Sequence, residues 1–201
     1  SALFPLGIGL ELFWGSSLYH LADLPMPVQA LPEVFTHFRK QVEKYSSVRP
    51  LIAPPTSIPT PSLSDPGELP ATSSLATQID SRPVWPFEGG ESAALTRLKE
   101  YMWQKDLLKT YKETRNGLLG GDYSSKFSPW LAHGCLSPRM IYWEAKRYEQ
   151  ERVKNSSTYW LVFELIWRYF FRFIAQNSGT ALFFSGGTQG EVHTPREAQR
   201  A

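Results

Sequence analysis

The sequence predicts a mainly α-helical chain in which a short N-terminal piece is joined by a proline-rich linker to a helical domain. Three observations carry this reading. Apolar residues recur three and four apart over residues 31–45 and again through most of residues 92–176. Nine of the sixteen prolines fall from Pro50 to Pro86, among Ser and Thr, with few charges and no sustained apolar period. The 201 residues are 42% hydrophobic and 14% aromatic, which is ample for a packed core and excludes disorder throughout.

At the N-terminus, an apolar stretch over residues 2–14 has no basic region before it and carries Glu11, so it reads as a poor signal peptide. Leu31, Val34, Phe35, Phe38 and Val42 give an amphipathic helix over 31–45 with Pro32 near its first turn, and its packing partner is not evident. The linker ends in Val84-Trp85-Pro86-Phe87, apolar enough to dock on the helical domain. Residues 92–112 place Leu95, Leu98, Met102, Leu108 and Tyr111 near one helical face, with Arg97, Lys99, Lys105 and Lys109 largely on the other. A Gly/Asp/Ser-rich segment, 116–128, breaks the pattern. Ser128-Pro129 then opens a short helix stopped by Gly134, and Ser137-Pro138 a longer one to about Arg152, serine capping and proline taking the place whose N–H is unneeded. The last helix, from about Ser157 to Gln176, is aromatic on nearly every side, which implies deep burial.

Composition narrows the function classes. The net charge is +2, but residues 91–201 hold 16 Lys and Arg against 11 Asp and Glu, so the basic balance lies in the second half. One cysteine, Cys135, excludes an intramolecular disulfide and a cysteine-based zinc cluster and favours a reducing, intracellular compartment. The greasy run 161–175 is interrupted by Glu164, Arg168 and Arg172, so no membrane span is expected. His20, His37, His133 and His193 are scattered without metal-ligand spacing. Asn155-Ser156-Ser157 fits the glycosylation triplet as a chance match.

Two constellations have the residue types for chemistry. Residues 120–129 combine Gly120 and Gly121, the hydroxyls of Ser124, Ser125 and Ser128, the Lys126 ammonium and a helix start, the parts of an anion cradle. The Walker A spacing is absent, and an ordinary capped loop has the same ingredients. Glu164, Trp167, Arg168 and Phe171 share a helical face, where a carboxylate beside an indole suits a flat heterocycle and Arg168 a phosphate; a buried Glu164 and Arg168 pair among core aromatics is the alternative. Arg115, with Lys112 and Lys109, suits a nucleic-acid backbone or forms a solvated basic face.

Three longer motifs decide among these: Tyr111-Lys112-Glu113-Thr114-Arg115-Asn116, the run 122–139 (DYSSKFSPWLAHGCLSPR), and Phe163-Glu164-Leu165-Ile166-Trp167-Arg168. With Phe13-Trp14-Gly15-Ser16-Ser17-Leu18-Tyr19-His20 and residues 31–40 upstream, they resemble the photolyase/cryptochrome family, specifically its cryptochrome DASH branch, over about residues 10–183. The resemblance implies the tail of an α/β antenna domain over 1–45, an interdomain linker over 46–88, the first helices of an all-α FAD-binding domain over 89–184, and an unrelated polar tail over 185–201. It implies FAD contacts from Tyr111, Ser124, Ser125, Lys126, Phe127 and Ser128, with Arg168 beside the cofactor. Arg115 falls where the family contacts a DNA backbone. Glu164 and Trp167 fall where a flipped-out pyrimidine dimer meets the flavin.

The implied activity is that of a deoxyribodipyrimidine photolyase, light-driven splitting of cyclobutane pyrimidine dimers in single-stranded DNA, or blue-light photoreception. The expected parent is a monomer acting on single-stranded DNA, with RNA as a further strand, and carries a pterin (methenyltetrahydrofolate) antenna. Beyond Phe183 the family's remaining helices and its tryptophan chain have no counterpart, so the chain is expected to be truncated at both ends, unable to complete the reaction, and to leave apolar helix faces uncovered. Tyr169 stands where the family usually has an acidic residue after the Trp-Arg pair. The reading from a different class is a non-catalytic single-stranded nucleic-acid-binding or protein-interaction module on the basic surface of residues 91–172.

Overall fold

The computed structural model describes residues 5, 7, 9–60, 62, 64, 65, 67–71, 74, 82, 83, 85–184 and 187. Val84 and the expected polar tail, apart from Gly187, lie outside the described residues. Among the described residues six α-helices are defined: α1 (Phe35–Tyr45), α2 (Glu91–Lys99), α3 (Tyr111–Thr114), α4 (Ser128–Ala132), α5 (Pro138–Glu151) and α6 (Ser156–Ser178). Short 3-10 turns lie at Leu21–Asp23, Val28–Ala30, Leu108–Thr110 and Gly179–Phe183, and a π-helical turn over Glu100–Gln104. There is no strand among the described residues, and no helix among them is long and apolar enough to cross a membrane.

The fold is arranged around α6, which packs against α1, α3, α5 and the turns at Val28–Ala30 and Leu108–Thr110. Leu161, Val162, Leu165, Ile166, Tyr169, Phe170 and Phe173 are buried along it at the three- and four-residue spacing of a helical stripe. Burial is not complete around it: Trp167 is 36% exposed and Phe171 58%. Phe171, Phe183 and Phe184 are exposed.

α6 starts on a cap that the glycosylation triplet disguises. Asn155 Oδ1 accepts from the Ser157 and Thr158 amides at 2.9 and 3.0 Å, while Thr158 Oγ1 accepts from the Asn155 amide at 3.2 Å. Asn155 Nδ2 also donates to the Lys109 carbonyl at 2.8 Å, and Ser157 Oγ accepts from the Lys112 amide at 3.0 Å. The start of the longest helix is thereby tied to α3. The expected serine caps are not made. Phe127 takes the cap place of α4 without a side-chain bond, and Ser137 sits extended at the start of α5 with no cap bond from its hydroxyl. Proline at both helix starts eases the loss, since it removes an amide that would otherwise need a partner.

α6 supplies the partner for the apolar face of α1: Phe38 and Val42 are fully buried, and Phe38 meets Phe170 and Phe173 at ring distances of 5.4 and 6.0 Å. It begins at Phe35 rather than at residue 31, because Pro32 disfavours helical backbone at Leu31, which is extended at ψ 135°. The preceding segment joins the same core. Trp14 stacks on Phe173 at 6.1 Å, and the Ser16 carbonyl accepts from Tyr169 Oη at 2.9 Å and from Arg168 and Arg172, each at 3.4 Å. Arg49 holds Asp23 through two bonds of 2.6 and 2.8 Å.

The expected continuous pattern over 92–112 is interrupted after the π-helical turn, where Asp106 takes left-handed backbone at φ 55°. Its carboxylate gathers Lys109 Nζ at 2.6 Å, Tyr148 Oη at 2.6 Å and Arg152 Nη1 at 2.7 Å, so long-range bonds to α5 override the local helical repeat. Burial works against ionisation here, but the bonds from Lys109, Tyr148 and Arg152 hold the Asp106 carboxyl well below the usual carboxylate range.

Asn155→Ala should lower the unfolding free energy by about 1–2 kcal/mol in urea titration. A carboxyl depressed in the folded state contributes stability above its unfolded pKa and loses it as the pH falls, so the thermal midpoint should stay level from neutral pH and drop below about pH 4, less steeply in Asp106→Asn.

Candidate functional site

The candidate site is built from four separated stretches: the end of α2, the start of α3, the loop running into α4, and α6. Its scaffold is Arg97. Spacing sets this arginine opposite the apolar face of α2, yet it is only 2% exposed, because the loop folds back over it. Nε donates to the Ser125 carbonyl at 3.1 Å, and Nη2 to those of Gly121 and Ser124 at 2.9 and 3.3 Å. Nη1 pairs with Asp122 and with Glu100, both at 3.0 Å. Lys105 bridges the same two carboxylates at 2.9 and 2.6 Å. Burial raises the cost of charging Asp122 and Glu100, yet the bonds from Lys105 and Arg97 keep both carboxyls below their ordinary range.

The loop so held forms one wall of a cavity of about 370 Å³. Tyr111, Ser124, Ser125, Lys126, Phe127 and Ser128 line it, and Glu164 and Arg168 complete it from α6. Lys126 reaches this wall from left-handed backbone at φ 61°. Ser125 and Phe127 are buried. Burial, with the Glu164 carboxylate nearby, pushes the Tyr111 phenol up to about 12, so it remains a neutral hydrogen-bonding group at physiological pH. Leu131, Leu161 and Leu165 supply the apolar lining and were missed in the sequence. The signal was available for two of them, since Leu161, Leu165 and Arg168 repeat at three and four residues beside Glu164.

The second constellation divides. Glu164 does not pair with Arg168: Arg115 Nη1 donates to Glu164 Oε1 at 2.6 Å, and Trp160 Nε1 to the same atom at 3.2 Å. α3 sits beside α6, which brings Arg115 nearer to that carboxylate than a neighbour one turn along the helix. Arg115 and Lys112 both lie over the Trp160 ring, at 5.2 and 5.0 Å. Arg168 instead donates to the Leu131 carbonyl at 2.9 Å and to Tyr169 Oη at 2.7 Å. Tyr169 thus answers Arg168 with a hydroxyl and donates its own proton to the Ser16 carbonyl, and burial pushes its phenol up to about 12. Trp167 is not among the cavity-lining residues; it stacks on Phe35 at 5.0 Å and on Phe171 at 6.4 Å. Among the described residues no group of His, Cys, Asp and Glu has the arrangement to hold a metal ion.

No protein-family model matches the chain. It is 51% identical over 193 residues to the cryptochrome DASH of Gloeobacter violaceus, covering 94% of this chain and 39% of that protein. The chloroplastic/mitochondrial cryptochrome DASH of Solanum lycopersicum is 56% identical over 182 residues, covering 90% of this chain and 32% of its own length. The crystal structure of a Synechocystis sp. cryptochrome superposes with a TM-score of 0.86 at 55% identity, over 92% of this chain and 39% of that one. The chain therefore spans about two fifths or less of the length of these relatives. Identity of this degree, spread over nine tenths of the chain and joined to the same helical arrangement, places the chain in the photolyase/cryptochrome family, in its cryptochrome DASH branch.

Proposed function

We propose that the cavity between the loop and α6 holds the diphosphate and ribityl part of FAD, and that the chain belongs to a flavin-dependent, blue-light-driven lyase acting on pyrimidine dimers in single-stranded DNA. One observation carries this reading. Eight residues drawn from three separated stretches, Tyr111, Ser124, Ser125, Lys126, Phe127, Ser128, Glu164 and Arg168, line one cavity. Their chemistry suits the ligand: hydroxyl donors and two cations for phosphate oxygens, a neutral phenol for a sugar hydroxyl, and a leucine lining for the apolar remainder.

FAD held in this cavity would supply the light-driven electron donation that splits the dimer. The chain's own residues position and bind. Glu164, at the edge of the cavity, offers a carboxylate to a base that has left the stack, at low cost in a single strand. Arg115 and Lys112 beside Trp160 combine cations with an aromatic face, the pairing that suits an unpaired strand. Trp167, one turn along from Glu164 and partly exposed, offers its ring to the same base from outside the cavity. In this reading residues 1–45 end the antenna domain, 46–88 are the linker and 89–184 open the flavin domain, while a pterin antenna belongs to the full-length parent.

The purified chain incubated with FAD and desalted should retain flavin near one per chain, read by visible absorption and by quantifying flavin after denaturation. Lys126→Ala and Arg168→Ala should each weaken retention about tenfold. A folded chain that retains none overturns the flavin site, and family membership then stands on identity alone. Binding of single-stranded oligonucleotide should weaken as salt rises, with a shallower salt slope in Arg115→Ala.

A further inference from the structure

Arg97 sets the direction of the cavity wall, because the carbonyls it holds belong to Ser124 and Ser125, whose side chains line the cavity. A guanidinium is planar, and its edge is fully committed to three carbonyls and two carboxylates. Its faces remain. Trp85, at the end of the linker, lies over the guanidinium at 4.2 Å from the ring centroid, and the Tyr101 ring lies at 5.1 Å. Trp85 also presses on the loop itself: a Cβ on Gly121 would stand 2.3 Å from Trp85 Cε3, closer than packed atoms approach. The linker end is anchored beside it, with Phe87 edge-on to Trp130 at 5.4 Å and the Glu88 carbonyl accepting from Trp130 Nε1 at 2.8 Å.

We infer that Trp85 and Arg97 form a latch by which the linker fixes the cavity wall: Arg97 is a positioning residue for Ser124 and Ser125, and Trp85 is the clamp that shields its guanidinium. When the linker is docked, water is kept from the cation and all of its bonds go to the loop and to Glu100. Undocking opens one face to water, which competes for those bonds and loosens residues 117–125. Whatever fills the cavity then favours the docked linker, and the docked linker favours filling by the same factor. The identity of that ligand rests on the flavin reading; the latch does not.

The test is hydrogen exchange by mass spectrometry on the whole chain, with and without FAD. Trp85→Leu, which keeps apolar bulk but removes the aromatic face, should speed exchange of residues 117–125 about tenfold while α6 is unchanged. Trp85→Phe should stay within about twofold of the parent chain. Gly121→Ala, which pushes the indole away with Trp85 still present, should reproduce the Leu result. FAD affinity should fall in the same order. Loop exchange unchanged in Trp85→Leu, equal behaviour of the Phe and Leu variants, or matching acceleration throughout α6 would overturn the latch. If the parent chain holds no FAD, the flavin reading fails and the exchange comparison still decides the latch.

Discussion

The buried guanidinium of Arg97 is the constraint on which the site depends. A charge so far from water is tolerated only when its donors are matched, and here most of the matching groups are supplied by the segment that has to be shaped. A loop of Gly, Ser, Asp and Tyr has many conformations of similar energy. Fixing three of its carbonyls to one rigid fork selects a single one, and each buried acceptor left without a donor costs on the order of 1–3 kcal/mol. Asp122 and Glu100 balance the charge, and Lys105 ties the two carboxylates together.

The second organising element is α6, which works on several sides at once. Its Leu161, Glu164, Leu165 and Arg168 side lines the cavity, while Phe170 and Phe173 receive α1. At its N-terminus Asn155 and Ser157 hold the start of the helix to α3 and the turn before it, so Arg115 is delivered to Glu164 by the same contact that caps the helix. The Tyr169 hydroxyl links Arg168 to the Ser16 carbonyl, which joins the segment before α1 to the helix that lines the cavity. Tyr169 satisfies Arg168 by a neutral hydrogen bond.

Much of this was legible in the sequence. The helical periods locate α1, α5 and α6, and the motif runs gather the cavity-lining residues. What the periods could not show were the departures from them. Asp106 interrupts an expected helix because its partners, Tyr148 and Arg152, lie more than forty residues away. Arg97 falls on the polar side of a helical wheel, and only the folded loop turns that side inward. Glu164 and Arg168 have the spacing of an ion pair, yet each is taken by a closer partner from another element.

The sequence by itself determined where the longer helices lie and which side chains have the chemistry for an anion and a base, because periodicity, proline and short motifs act over a few residues. Tertiary structure decided who pairs with whom: Arg97 with the loop, Arg115 with Glu164, Trp85 with Arg97. Those choices depend on distances between segments remote in the chain, and burial makes an unmatched charge too costly to leave, so the partners are set by packing rather than by spacing.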